Sequence, residues 1–205
     1  MPRIAGGQLK GVVLEAPKTV RPTSDMVRQA IFNILGGSVA DAVVLDGYAG
    51  SGALGLEAIS RGAMQVTFIE SEPQALYTLK RNLEKAERLL QGSPWQVIAN
   101  EVDAALPKLA KRQATFDLIL LDPPYKTGLG KKSLSVISDY VMLAAAGLLC
   151  LEHARVDEPG ERIGQLTLIK RHRYGETVLS FYRMAPSCAQ STQAPSTQSP
   201  SATST

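Results

Sequence analysis

Residues 116–125 read Phe116-Asp117-Leu118-Ile119-Leu120-Leu121-Asp122-Pro123-Pro124-Tyr125, an apolar run that stops at an acid, two prolines and an aromatic. A strand buried on both faces in a parallel sheet reads as such a continuous apolar run. In open α/β sheets, ligands bind just beyond the carboxyl ends of these strands. Pro123 and Pro124 fix φ and remove two backbone donors, so the turn is stiff and offers carbonyls. One carboxylate (Asp122) and one aromatic face (Tyr125) stand beside them. Together they suit a flat ring bearing an amine, stacked on Tyr125 and donating to Asp122 and a proline carbonyl.

Working outward, strand and helix signals alternate. Apolar runs fit strands at 42–46, 66–70, 96–99, 118–122 and 148–152, with helical patterns at 53–61, 73–90, 103–111 and 132–145. This order indicates a mostly parallel, doubly wound α/β sheet with helices on both faces. Residues 166–170 and 176–183, around Tyr174-Gly175, read as a closing hairpin with one antiparallel strand. Three segments are expected: an N-terminal extension over 1–40, a main domain over 41–185 and a tail over 186–205. In the extension, a small Gly-rich hairpin over 3–16 leads to an amphipathic helix over 26–35, which Thr23, Ser24 or Asp25 can cap. The tail holds only Pro, Ser, Cys, Ala, Gln and Thr, and is expected to be disordered.

The first strand runs into Asp46-Gly47-Tyr48-Ala49-Gly50-Ser51-Gly52-Ala53-Leu54-Gly55. Gly50, Gly52 and Gly55 satisfy Gly-x-Gly-x-x-Gly, and Glu70 ends the next strand, as in a dinucleotide site. The acid at Asp46 argues against a pyrophosphate and suits an ammonium group. Three residues also separate Asp46 from Gly50, giving a wider turn than a pyrophosphate clamp requires. Glu70 suits a ribose diol, or is a solvated strand-end acid. Asp103 suits an adenine amine, or caps the helix that follows it.

The glycine loop and Asp122-Pro123-Pro124-Tyr125 resemble those of S-adenosylmethionine-dependent methyltransferases acting on exocyclic amines of nucleobases, although such loops commonly carry Leu-Phe where this chain has Gly47-Tyr48. Two N-terminal blocks narrow the likeness: Arg3-Ile4-Ala5-Gly6-Gly7 with Lys10-Gly11, and Arg21-Pro22-Thr23 leading to the stretch 27–35. With the Tyr174-Gly175-Glu176-Thr177 turn, they make the chain resemble the RsmD-type methyltransferases over residues 3–183. That resemblance implies a seven-stranded Rossmann-like methyltransferase sheet and methylation of guanine N2 in small-subunit (16S) ribosomal RNA. It also implies an N-terminal hairpin and helix that help engage RNA, with Arg21-Pro22-Thr23 over the methionine end of S-adenosylmethionine. The cofactor set is then Arg21, Thr23, Asp46, Tyr48, Gly50, Ser51, Gly52, Glu70 and Asp103; the catalytic set is Asp122, Pro123, Pro124 and Tyr125.

The net charge of +3 permits an anionic partner without demanding one. Arg3, Lys10, Lys18 and Arg28, with Lys170, Arg171, Arg173 and Arg183, are the candidate phosphate contacts, each equally readable as a solvated charge. His153 and His172 are read as packed or surface residues. Cys150 and Cys188 have no disulfide or metal spacing, the N-terminus shows no secretory signal, and the longest apolar stretch, 141–151, is too short to span a bilayer. The expectation is a cytoplasmic monomer without a metal, acting on ribosomal RNA within an assembling or assembled small subunit. Competing readings are an adenine-N6 methyltransferase, a nicotinamide oxidoreductase using the Gly50–Gly55 loop, and a non-catalytic RNA-binding module.

Overall fold

The structure, a computed structural model, describes residues 1–16, 25–90 and 92–185. Arg21, Thr23, Lys18, Cys188 and the expected tail lie outside the described residues. Eight strands form one sheet: β1 (Val43–Gly47), β2 (Gln65–Glu70), β3 (Trp95–Ala99), β4 (Phe116–Leu121), β5 (Leu143–Ala154), β6 (Arg162–Ile163), β7 (Leu166–Tyr174) and β8 (Thr177–Met184). Their order is β3-β2-β1-β4-β5-β8-β7-β6. The first five are mutually parallel, and β8 enters antiparallel against β5. The helices are α1 (Asp25–Leu35), α2 (Ala53–Ser60), α3 (Pro73–Glu87), α4 (Val102–Lys111) and α5 (Leu129–Asp139).

The expected sheet therefore forms, with the two-residue β6 as an eighth strand paired to β7. One boundary is corrected. Residues 141–145, expected in the last helix, leave α5 at Tyr140, and the chain turns through Val141 at φ +50° into β5. A short apolar run cannot by periodicity be divided between a helix and a buried strand. The expected N-terminal hairpin is reduced to a single antiparallel bridge between Arg3 and Val13.

The alternation of side chains along the parallel strands divides the core. On one face Val44, Leu118 and Leu120 pack with α1, α2, α3 and the N-terminal segment. On the other Leu45, Ile119 and Leu121 pack with α4 and α5. The acids at the strand ends inherit this alternation. Asp46, Glu70, Asp122 and Glu152 follow the first face at the carboxyl edge.

The N-terminal segment is fastened to α2. Glu57, fully buried, accepts from the Ala5 and Gly6 amides at 2.7 and 2.9 Å, pairs with Arg61 at 2.7 Å and lies 3.8 Å from the buried Arg28 guanidinium. Arg28 also donates to the Arg3 carbonyl and Asp25. Gly7 lies so close to the end of α2 that a Cβ there would sit 1.6 Å from the Ser60 carbonyl oxygen, and its φ is +73°. Arg28, proposed from sequence for RNA phosphates, is thus a buried anchor at 1 % exposure.

Candidate active site

The glycine loop leaves β1 at Gly47 and reaches α2 through Tyr48, Gly50 and Gly52, all at positive φ (65°, 56° and 78°). Gly55 lies in the first turn of α2, where a Cβ would meet the Phe68 ring at 2.2 Å and Asp46 Oδ2 at 2.9 Å. Only glycine lets the helix approach β2 and the acid this closely. Asp46 is buried, and its Oδ2 accepts from the Gly55 amide at 2.8 Å while its Oδ1 has no hydrogen-bond partner. Burial first, with the Asp122 and Glu70 charges adding to it, raises its pKa well above the carboxylate range. A buried carboxylate so placed calls for a cation.

Glu70 caps the rim of the same loop. Its Oε2 accepts from the Gly50 amide at 2.7 Å, and its Oε1 accepts from the Ser71 and Glu72 amides. Since a carboxylate oxygen has two acceptor sites, Oε2 retains capacity for a hydroxyl. Asp103 sits inside the first turn of α4 and does not cap it: Glu101 holds the capping position, without a side-chain bond. Lys132 pairs with Asp103 Oδ2 at 2.7 Å, and Oδ1 is buried without a hydrogen-bond partner.

Tyr48 turns toward α5, its hydroxyl 2.8 Å from Ser133; burial is the main cause pushing its pKa up to about 12. Ser51 is buried, and its carbonyl accepts from the Asn82 amide group, whose oxygen in turn holds the Glu15 amide. The acceptors fit S-adenosylmethionine. Asp46 Oδ1 suits the methionine ammonium, Glu70 Oε2 the ribose, and Asp103 Oδ1 an adenine amine. The parallel pairing of β1, β2 and β3 brings these acids to one edge.

Asp122, Pro123, Pro124 and Tyr125 leave β4 at this edge. The Asp122 amide is 3.4 Å from the Gly47 carbonyl. The Asp122 charge contributes to raising the pKa of Asp46, which places the two carboxylates in one electrostatic neighbourhood. The Pro124 carbonyl accepts from the Thr127 hydroxyl at 2.7 Å. A carbonyl has two acceptor sites, so this bond leaves Pro124 able to accept again, and either proline carbonyl suits an incoming amine. Tyr125 is 37 % exposed, and its hydroxyl lies 2.9 Å from Glu152 Oε1 and 3.0 Å from Thr177 Oγ1. A cavity of about 110 Å³ opens beside the turn, lined by Pro123, Pro124, Tyr125, Lys131, Leu151 and Val156 among others.

Glu152 and Thr177 were missed as site residues, as was Lys131 on the cavity wall. Glu152 ends an apolar run of the sequence just as Asp46 and Glu70 do, so the rule that selected those two also applied to it. His153 is buried; its Nδ1 faces the Ala154 carbonyl at 2.8 Å and its Nε2 the Ser180 hydroxyl at 2.9 Å. Burial lowers its pKa, in keeping with a packed neutral ring. Of the basic candidates, Arg171 is half-buried and paired with Glu158, whereas Arg3, Lys10, Lys170, Arg173 and Arg183 are exposed.

Known proteins resemble the chain over most of its length. Ribosomal RNA small subunit methyltransferase D of Escherichia coli strain K12 is 38 % identical over 152 residues, 73 % of each chain. The Haemophilus influenzae protein of the same name is 32 % identical over 183 residues, covering 88 % of this chain and 93 % of the relative. The solved structure of the Thermus thermophilus hypothetical protein TTHA0928 superposes with a TM-score of 0.77 at 30 % identity, covering 90 % of this chain and all of that one. The model of one family, described as Conserved hypothetical protein 95, matches residues 2–183. With nearly all of its described elements inside that match, the chain belongs to the Conserved hypothetical protein 95 family.

Proposed function

We propose that this protein transfers a methyl group from S-adenosylmethionine to the exocyclic N2 amine of a guanine in small-subunit ribosomal RNA. One observation carries the reading: a strand-end carboxylate, Asp122, and an aromatic face, Tyr125, share the sheet edge that holds the orphaned Asp46 oxygen. The relatives named for small-subunit ribosomal RNA support the choice of substrate.

The cofactor supplies an electrophilic methyl group on a sulfonium. The chain's task is the nucleophile, since an exocyclic amine on a purine has its lone pair delocalised into the ring. Asp122 and the Pro123 carbonyl accept its two N–H bonds and turn the lone pair out of conjugation. Tyr125 stacks on the base and sets its plane. Positioning of this kind lowers barriers by several kcal/mol, up to about 7–11 in favourable intramolecular cases. Asp122 need not be a strong base, because the amine becomes acidic only as the new bond forms. The chemistry calls on no metal.

The base must leave its stack to reach this edge. The exposed Arg3, Lys10, Lys170, Arg173 and Arg183 are the candidate phosphate contacts, together with Lys131 beside the turn. We place the reaction in the cytoplasm, on an assembling or assembled subunit, with the enzyme a monomer. Among the described residues no helix is long and apolar enough to cross a membrane. We further assign residues 1–40 to an extension that covers cofactor and RNA, with Arg21 and Thr23 at the methionine end.

The deciding experiment incubates small subunits from a strain lacking the protein with labelled cofactor and maps the product by mass spectrometry. Label on a guanine N2 is expected. Label on adenine, DNA or protein, with none on subunit guanine, overturns the assignment. Asp122→Ala should lower turnover by at least about 10²-fold while leaving cofactor affinity, measured by calorimetry, unchanged. Near-normal methylation by that variant would sink the mechanism.

A further inference from the structure

We propose that Thr177 and Glu152 are positioning residues that lock the Tyr125 ring, which makes the turn between β7 and β8 part of the methyl-transfer apparatus. The inference rests on the reading that Tyr125 stacks on the target base. Tyr125 belongs to a loop, followed by Lys126 and Gly128 at positive φ, and its ring is not among the side chains of either core cluster. Its hydroxyl supplies what its ring lacks. The bonds to Glu152 Oε1 and Thr177 Oγ1, at 2.9 and 3.0 Å, tie the far end of the ring to two strands of the sheet.

The direction of these bonds follows from the groups. An ionised carboxylate only accepts, so the phenol proton points to Glu152, and the Thr177 hydroxyl must donate to the phenol oxygen. Burial first, and then the Glu152 charge, push the Tyr125 pKa up, so the phenol remains a donor across the working range. The anchors themselves are rigid. Glu152 is 5 % exposed and lies one residue past the Leu121–Leu151 pair of β4 and β5. Thr177 pairs with Ala154 across the antiparallel β5–β8 ladder, which puts it diagonally from Glu152 on the same face. A loop residue is thereby held at two points of the sheet. Stacking needs one ring plane, and these two bonds define it.

The test uses single-turnover methylation of small subunits from the deficient strain, with cofactor affinity and Tm measured alongside. Thr177→Val should slow the methyl-transfer step about five- to tenfold, the size of one lost hydrogen bond, with cofactor affinity unchanged and Tm lowered by no more than about 2–4 °C. Thr177→Ser should restore the rate. In a Tyr125→Phe background, Thr177→Val should add no further loss, because the shared partner is already gone. Likewise Glu152→Gln, which keeps an acceptor, should retain more rate than Glu152→Leu, and only where Tyr125 is present. A normal rate for Thr177→Val, or losses that multiply in the double variant, would overturn the tether. Tyr125→Ala separates the two levels. If it is inactive while Thr177→Val is normal, stacking stands and the tether fails; if it is fully active, stacking fails and the tether with it.

Discussion

Glu57 and Asp46 are both buried carboxylates at opposite ends of one short stretch of chain, and the structure treats them in opposite ways. Glu57 is saturated. Two backbone amides and the Arg61 guanidinium bond to it, with the Arg28 cation near by. Asp46 holds one backbone amide, has an oxygen with no hydrogen-bond partner, and faces further negative charge from Asp122 and Glu70. A carboxylate whose bonds are complete fastens pieces of the fold together. One left short of bonds, in a place where burial makes that costly, is prepared for a ligand that is itself a cation.

The largest break in this contrast should come from Glu57→Ala. It strips the Ala5 and Gly6 amides and the Arg61 guanidinium of their acceptor, leaves buried Arg28 only Asp25 as a carboxylate, and unfastens the N-terminal segment, so a loss of about 3–5 kcal/mol is expected in urea unfolding. A change near zero would mean that the anchor is redundant. Asp46→Asn should act in the opposite direction. The folded pKa of Asp46 is raised, so its contribution to stability is fully present below the ordinary value of about 4 and is lost as pH rises through the folded value. Once ionised, the group therefore opposes folding. The variant's cofactor-free Tm should rise by a few degrees, at about 2–4 °C per kcal/mol for a chain of this size. Its cofactor affinity should fall sharply. In the natural chain that affinity should decline as pH drops through the same window, because protonated Asp46 no longer meets the ammonium; titration calorimetry against pH reads both effects. The smallest effect is expected for Lys132→Ala. Its pair with Asp103 spans α4 and α5, but the lysine is 63 % exposed, so the stability change should stay within about 1 kcal/mol.

The saturated region was the harder one to read from sequence. Asp46, Glu70 and Asp122 announce themselves because each ends an apolar run, and a buried strand's edge is where ligands meet an open sheet. Glu57 and Arg28 carry no such mark. They lie in helical patterns, where a charge is ordinarily solvated, and only the fold shows that α1 and α2 turn them toward one another. Gly6 and Gly7 read as hairpin residues, yet Gly7 is required by its close approach to Ser60, which no local pattern contains. Tyr125 was legible as an aromatic face, but its hydroxyl partners come from 27 and 52 residues away. The early start of β5 was hidden for a different reason: a run of small apolar residues serves either a helix end or a strand.

The strand order also has a consequence in time. Glu70, Asp46, Asp122 and Glu152 reach one edge only after β2, β1, β4 and β5 have all paired, each partner arriving through a helical crossover. Closing such distant pairs is slow compared with a local hairpin such as β7–β8, which forms within microseconds. On refolding, the β7–β8 turn should be in place before the acids are, waiting with Thr177 for Tyr125 to arrive.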